Sequence, residues 1–255
     1  MTRVSWPHVR TAFGREWTRA RHHAALAYLV PAIPPLVAVT LFSDMMSPAA
    51  DVPGFPNATF QDHMAPGAVL LAGMMMAGFT AVSVAEDRRS GFDDRLRLLG
   101  ASRPSVTIGR LGFDAIRILP AIVGAYALAV WLGDDLGFVP LDAAILVVIG
   151  CAWAMAYNTA FHFVADRTRN PHAPIAMQPM FAMLTFPSTF WYPRELMPDW
   201  GKTMTDWNPI SWLTDAARVF TTGEPGGGAV ALGVAVIAVV GVGLGAALEL
   251  APKES

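Results

Sequence analysis

Residues 143–165 read AAILVVIGCAWAMAYNTAFHFVA, a run of 23 positions without lysine, arginine, aspartate or glutamate. A helix needs about 20 mainly apolar residues to cross the hydrocarbon core of a bilayer, so this run is long enough to span one. The other uncharged apolar stretches are Ala24–Phe42, Pro66–Ala85, Ile118–Leu132, Ala173–Tyr192 and Ala229–Leu248. The sequence therefore predicts an all-α integral membrane protein with six transmembrane helices.

The distribution of basic residues predicts how these helices are oriented. Counted from the N-terminus, the seven flanking segments carry five, zero, six, zero, two, three and one Lys or Arg, with Arg117 the remaining one of 18. Odd-numbered segments thus hold 14 basic residues and even-numbered segments hold three. Because Lys and Arg stay on the cytoplasmic side during insertion, we expect a protein of the cell membrane with both termini in the cytoplasm.

The composition excludes an ordinary soluble protein. Hydrophobic residues make up 54% of the 255 positions and charged residues only 15%, which leaves too little polar surface to cover six apolar helices. The basic residues are spread over the membrane faces, so we expect no nucleic-acid partner. Lysine occurs only at positions 202 and 253, beside abundant Ala and Arg, which is typical of a GC-rich bacterial genome.

One membrane domain is expected to occupy the whole chain. Residues 1–23 are predicted to form a cytoplasmic amphipathic helix, 24–248 the six-helix membrane domain and 249–255 a cytoplasmic tail. The apolar stripe of the N-terminal helix recurs at spacings of three and four, and most of its arginines lie on other faces. A helix at the membrane interface is favoured, and a solvated arm is the alternative. The stripe consists of Val9, Phe13, Trp17 and Ala20, and the arginines are Arg10, Arg15, Arg19 and Arg21.

The connection between the second and third stretches is unusually rich in charge. Residues 86–110 read EDRRSGFDDRLRLLGASRPSVTIGR. Gly91 breaks the charged run, and 93–99 is predicted to form a short helix with Leu96 and Leu99 on one side. An ordinary positively charged loop explains the arginines but not the interleaved acids. A short charged helix at the membrane surface is suited to receive force from a soluble partner.

The last external connection, residues 193–228, also differs from an ordinary loop. It carries Trp200, Trp207 and Trp212 together with Pro198 and Pro209. Tryptophan at this density favours the headgroup boundary of the membrane. The pattern predicts short helices that dip into the outer leaflet. The first external loop, by contrast, is expected at 43–65 as an irregular acidic segment.

Both connections carry motifs that resemble the type-2 permease subunits of ABC exporters, especially their daunorubicin-resistance-like branch. That family has a Glu/Asp-Arg-x-x-Gly-x-x-Glu/Asp-Arg-Leu loop between its second and third crossings, and Asp87–Leu96 follows this pattern. The family's external segment has an aromatic residue before proline, then Leu-Pro-x-Trp, Asn-Pro and Asp-Ala-x-Arg. In this sequence these motifs fall at 191–193, 196–200, 208–209 and 215–218. Asp93, where the family usually has an aliphatic residue, and the inserted Met197 depart from the pattern.

The resemblance implies the membrane subunit of an ATP-driven exporter of hydrophobic or amphiphilic substrates, with no catalytic, metal or cofactor site of its own. ATP and Mg would be bound by a separate cytoplasmic ATP-binding subunit, present in two copies. A second permease, identical or paralogous, would complete the assembly within membrane lipid. The implied coupling residues are Asp87, Arg88, Arg89, Gly91, Asp94, Arg95, Leu96 and Leu99. The implied external gate residues are Pro193, Leu196, Pro198, Trp200, Asn208, Pro209, Asp215 and Arg218.

Polar residues inside the apolar stretches are candidates for a role in transport, because charge at membrane depth is costly. Asp114 and Arg117 are three apart and are expected to pair on one helix face. Asn158 and His162 share a face of the fourth stretch, where hydrogen bonding between helices explains them as well as a transport role does. The candidate pathway-lining residues are Met75, Asn158, His162 and Met180.

Two other functions remain possible at this stage. An integral membrane enzyme acting on lipid or cell-wall intermediates would need acid, base or metal-binding residues that converge at one depth, and the sequence shows no such set. The second alternative is an ATP-independent transporter or a membrane partner that does not itself transport. An ATP-binding protein that copurifies with the chain would distinguish the exporter from both alternatives.

Overall fold

The computed structural model describes residues 4–57, 59–133, 139–167 and 183–221, together with positions 176, 179, 230, 233, 234, 237, 238 and 241. Within these residues all regular structure is helical, as the sequence predicts. The α-helices are α1 Trp6–His22, α2 Val30–Val37, α3 Ser43–Met46, α4 Phe60–Arg89, α5 Phe92–Leu98, α6 Arg103–Arg117, α7 Leu119–Leu132, α8 Pro140–Arg167, α9 Asp199–Asp206 and α10 Pro209–Thr221.

Three helical stretches of the described chain are long and apolar enough to cross a membrane. They are Ala25–Ala49, Arg103–Leu132 and Ala143–His162. The all-helical membrane fold is therefore confirmed, whereas the number of six crossings stays a prediction. Apart from isolated positions, the sixth stretch at 229–248 lies outside the described residues, as does the tail at 249–255.

The first membrane stretch is a helix of mixed type. Two π-helical segments, Ala25–Leu29 and Ala38–Phe42, flank α2, and a 3-10 turn follows α3 at Ser47–Ala49. Proline has no N–H to donate, so prolines inside a helix interrupt its hydrogen-bond ladder, and α2 contains Pro34 and Pro35 within its length. At the end of α2 the Ala38 N–H donates to the carbonyls of both prolines.

Two predicted boundaries are wrong. Helical structure continues beyond Phe42 to Ala49 and resumes at Phe60, so the irregular external loop is shorter than the predicted 43–65. The fifth stretch was expected to stay helical to Tyr192, but residues 184–192 form turns. The Asn208 side chain holds this segment by donating to the carbonyls of Leu184 and Pro187. The part of the stretch at 173–175, 177–178 and 180–182 lies outside the described residues.

Helix α4 lies at the centre of the fold and packs against α2, α7, α8 and α10. Helices α4 and α8 approach closely at Gly73, where an added Cβ would lie 3.2 Å from the Cβ of Ala154. Small residues allow such close contact between helices, which strengthens dispersion attraction in lipid. Along α8, the buried rings of Trp153, Tyr157 and Phe161 follow one another at 5.4 and 5.1 Å between centroids.

The N-terminal helix α1 is docked along α6, so the solvated-arm alternative is wrong. Phe13 and Trp17 meet the buried ring of Phe113 edge-on, at 5.6 and 6.2 Å between centroids. The buried side chains of α1 are Ala12, Glu16 and Ala20, so only Ala20 of the predicted apolar stripe is fully covered.

Candidate functional site

The carboxylate of Asp87 is the centre of a charged cluster at one end of the helical bundle. Asp87 is fully buried near the C-terminus of α4. Its Oδ1 accepts hydrogen bonds from Arg15 Nε at 2.7 Å and from Arg19 Nη2 at 2.8 Å. Its Oδ2 accepts one from Arg110 Nη2 at 2.6 Å. One side chain thereby joins α1, α4 and α6.

The cluster extends to α5 and to a second acid on α1. Arg110 also donates to Asp93 Oδ1 at 2.8 Å, which ties the first turn of α5 to α6. Glu16 accepts from Arg19 at 3.2 Å and from the hydroxyl of Ser83 at 3.3 Å. Asp93, the departure from the family pattern, thus has a structural role within this chain.

Three arginines of this cluster face three carboxylates, and the exposed Glu86 lies further out, 3.7 Å from Arg19. Burial raises the pKa of Asp87, but the hydrogen bond from Arg15 and the charge of Arg110 outweigh it, so the pKa lies below its ordinary value. Burial raises the pKa of Glu16 above its ordinary value, although Arg19 and Arg110 oppose the shift. Asp87 is therefore the stable anion of the cluster, and its ionisation depends on the arginines that α1 and α6 supply.

Two glycines define the ends of α5. Gly91 precedes the helix in the left-handed conformation with φ +66°, which side chains rarely adopt. At the other end Gly100 has φ +85°, its N–H donates to the Arg97 carbonyl, and the N–H of Ala101 donates to the Leu96 carbonyl. These two bonds form a Schellman motif, which satisfies the last carbonyls of the helix. The helix is therefore short and sharply bounded, as the sequence predicts.

The leucines of α5 face in opposite directions. Leu96 is buried against Ala12, Ala101 and Val106. Leu99 is 74% exposed and Leu98 is 87% exposed. The prediction that Leu96 and Leu99 share a face is wrong, because Leu99 follows the last turn and belongs to the glycine cap. Leu96 anchors α5 to the protein, whereas Leu98 and Leu99 leave an apolar tip.

The remaining predicted coupling residues lie around this tip, and most of the predicted 86–110 loop is helical. Arg95 is exposed and donates to the Ser90 carbonyl at 2.7 Å, which closes the turn between α4 and α5. Arg89 and Asp94 are also exposed. The Arg88 side chain lies outside the described residues. Helix α6 begins after Ser102, whose hydroxyl accepts from the Ser105 N–H.

At the opposite end of α4, Asn208 and Pro209 begin α10. The Asn208 Oδ1 accepts from the Ile210 N–H at 2.9 Å, while Pro209 occupies the first helical position, where its missing donor costs nothing. The Asn208 amide reaches back to the turns at Leu184 and Pro187. The Asn-Pro motif therefore starts a helix and also holds the turns before it.

The Asp-Ala-x-Arg motif fastens α10 to the same turns. Arg218 donates to Asp215 Oδ1 at 2.7 Å and to the Thr189 carbonyl at 2.6 Å. The Thr189 hydroxyl donates to Asp215 at 2.7 Å. Arg218 also lies 3.3 Å from Nε2 of His63, a fully buried residue of α4. Burial raises the pKa of Asp215, with Arg218 and Thr189 acting in the opposite direction.

The other predicted gate residues surround α9. Pro193 is buried, Leu196 is half-buried in a 3-10 turn, and Pro198 immediately precedes the helix. Trp200 and Trp207 are exposed by 68 and 79%. This exposed aromatic face of α9 agrees with the expected position at a headgroup boundary.

The candidate pathway residues on α8 lie within a buried polar group. Arg117 donates to Asp114 at 2.7 Å, which confirms the expected pair. Asn158 Nδ2 donates to Asp114 Oδ2 at 3.4 Å, and His162 Nε2 lies 3.9 Å from the same oxygen. Asn158 and His162 therefore link α8 to α6 within this chain, and a role in lining a pathway stays a prediction. Met75 is half-buried in α4, and Met180 lies outside the described residues.

Several partners in these sites were not foreseen from the sequence. Glu16 could have been recognised from the sequence, because it is the only acidic residue in residues 1–23, which contain five arginines. The positive charge expected on the cytoplasmic side of the membrane accounts for Arg15, Arg19 and Arg110 without any specific partner. The sequence gives no sign that His63 and Thr189 are contact residues, because their contacts form only where α10 packs beside them.

Known proteins similar to this chain are membrane transporters. A model of the ABC-2 type transporter family matches residues 7–221, which include both the Asp87 cluster and α10. The daunorubicin resistance ABC transporter permease protein DrrB1 of Streptomyces coeruleorubidus is 29% identical over 163 residues, or 63% of this chain. The match spans 57% of that relative's own length. No solved structure matches the chain. The chain belongs to the ABC-2 type transporter family.

Proposed function

We propose that this chain is the membrane subunit of an ATP-driven exporter, energised by a separate cytoplasmic ATP-binding subunit that docks at α5. Two such subunits and a second permease would complete the complex. The exported substrate would be hydrophobic or amphiphilic. The name of the similar Streptomyces permease supports this proposal, because it links a similar chain to drug resistance.

The observation that carries the proposal is the construction of α5. The helix is sharply capped by Gly91 and Gly100, anchored through Leu96 and Asp93, and presents the exposed pair Leu98 and Leu99. An apolar tip on a short, rigidly mounted helix fits a groove on a soluble protein better than it fits water. Because α5 is tied to Arg110 and through it to Asp87, movement at the tip would reach α1, α4 and α6 together.

ATP binding changes the conformation of a permease only by interacting differently with its two states. In this proposal the difference arises at the docked tip of α5, where the ATP-binding subunits would move on closing over nucleotide. The external turns held by Asn208 and Arg218 would form the outer gate. Helix α4 connects the two regions, since it carries Asp87 near one end and His63 near the other.

The proposal is tested by placing a charge on the tip. In Leu98→Asp/Leu99→Asp, two desolvated carboxylates would oppose docking, so the ATP-binding subunit is expected to copurify at least tenfold less. Export should fall with it. The measurements are the amount of ATP-binding subunit recovered with the tagged permease and the efflux of a hydrophobic fluorescent dye from cells that express both proteins.

Val52→Asp is the matched control, because Val52 is an exposed apolar residue in the connection between Ala49 and Phe60. It should leave copurification and efflux unchanged. If the tip variant retains both its partner and full efflux, α5 is not the docking element. Efflux that persists without any ATP-binding protein would favour the ATP-independent transporter instead.

A further inference from the structure

Helix α1 divides its arginines between two faces. Arg15 and Arg19 turn inward to Asp87. Arg10 and Arg21 are exposed, and within the described part of the chain they enter no ion pair. The inward arginines are accounted for by the Asp87 cluster, whereas the outward ones have no role in it.

The exposed arginines form a stripe with two exposed tryptophans, Trp6 and Trp17. Trp6, Arg10, Trp17 and Arg21 fall within about 60° of one another around the helix at 3.6 residues per turn. Glu16 is the only acid in residues 1–23, and its side chain is buried on another face. The outer face of α1 is thus aromatic and cationic, with no carboxylate of the helix to neutralise it.

The stripe also begins next to the membrane. Helix α1 ends at His22, and His23 leaves the helical conformation (φ −128°, ψ 46°) just before the stretch Ala25–Ala49, so α1 need not continue along the axis of that stretch. Arg21 is four residues from the start of that stretch, or about 6 Å along a helix. Arg10 lies about 16 Å further along the axis, so with α1 lying along the membrane surface the two guanidinium groups would meet different headgroups.

We propose that the stripe of Trp6, Arg10, Trp17 and Arg21 binds the phosphate headgroups of anionic phospholipids in the cytoplasmic leaflet. The choice of leaflet rests on the proposed topology. Arginine pairs well with phosphate oxygens, and tryptophan is enriched at headgroup depth. An acidic protein surface would satisfy the arginines, but only a membrane also accounts for the tryptophans and for the adjoining membrane stretch.

The experiment compares lipid binding to the purified full-length permease. Native mass spectrometry in detergent gives dissociation constants for phosphatidylglycerol and, separately, for phosphatidylcholine. The wild type is expected to prefer phosphatidylglycerol. Each arginine near an anionic surface contributes about 1 kcal/mol, which is roughly fivefold in affinity. Arg10→Gln should therefore reduce the preference roughly fivefold, and Arg10→Gln/Arg21→Gln roughly 25-fold.

The control is Arg89→Gln/Arg97→Gln, which removes two exposed arginines beside and within α5 but outside the stripe. It should keep the preference for phosphatidylglycerol. Unfolding temperatures in detergent should match the wild type for every variant, because the substituted side chains are exposed. The proposal is overturned if the stripe variant keeps its full preference, or if the control loses as much.

A protein partner on the stripe would give a different result. Arg10→Gln/Arg21→Gln would then lower recovery of the ATP-binding subunit while leaving the lipid preference intact, which also overturns the proposal. Lipid binding is measured on the permease alone, so failure of the exporter function would not change its outcome. The two proposals can therefore fail separately.

Discussion

A single carboxylate, Asp87, joins three helices, and its removal should be costly. Asp87→Asn leaves Arg15, Arg19 and Arg110 facing an uncharged amide, and breaking a buried ion pair in this way costs about 3 kcal/mol or more. The variant should unfold at lower temperature than the wild type in detergent at pH 7. Glu86→Gln is the control, since Glu86 is an exposed neighbour 3.7 Å from Arg19 and should cost less than about 1 kcal/mol.

The stability that Asp87 contributes should depend on pH. Because the folded pKa of Asp87 is lowered, its carboxylate contributes stability above the ordinary aspartate pKa of about 3.9. That contribution is lost as the pH falls through the lowered folded value. The difference in unfolding temperature between wild type and Asp87→Asn should therefore shrink on acidification below about pH 4. A difference that stays constant from pH 7 to pH 3 would contradict this assignment.

At the scale of the helix, the contact between α1 and α6 depends on the absence of a side chain. A Cβ at Gly109 would lie 2.4 Å from the backbone oxygen of Val9 and 2.8 Å from the Cβ of Ala12. Gly109→Ala must push α1 away and is expected to cost about 1–3 kcal/mol. Backbone amides of α1 should then exchange with deuterium faster than in the wild type.

Gly112 provides a matched control on the same helix. A Cβ at Gly112 would meet nothing within 4 Å. Gly112→Ala should therefore stabilise α6 by about 0.5–1 kcal/mol, because alanine loses less backbone entropy than glycine in a helix. Equal effects of the two substitutions on α1 exchange would show that the contact at Gly109 does not hold the helix in place.

Local signals in the sequence predicted individual elements better than they predicted contacts. Gly91 separates α4 from α5 as predicted, because the signal of a glycine acts within a few residues. The turns at 184–192 escaped prediction, since their composition is apolar and the side chain that holds them is Asn208, some 20 residues later. The arginine partners of Asp87 escaped for the same reason, because two of them lie on α1.

At the scale of the whole molecule, the charge distribution predicts that α5 and α9 lie on opposite sides of the membrane. Arg97→Cys on α5 and Thr203→Cys on α9 place thiols at exposed positions, and Cys151→Ala removes the sole native cysteine. A membrane-impermeant maleimide should label Thr203→Cys in intact cells. It should label Arg97→Cys only after the membrane is opened. Labelling of both sites in intact cells would overturn the proposed topology.

The prolines of α2 have a mechanical consequence. Pro31, Pro34 and Pro35 each withhold a hydrogen-bond donor, and a helix with gaps in its ladder bends more easily than an intact one. Helix α4, in contrast, contains no proline between Gly67 and Arg89. In the proposed exporter, a pull on the N-terminal end would therefore bend the first membrane stretch, whereas α4 would transmit movement to the far side with less bending.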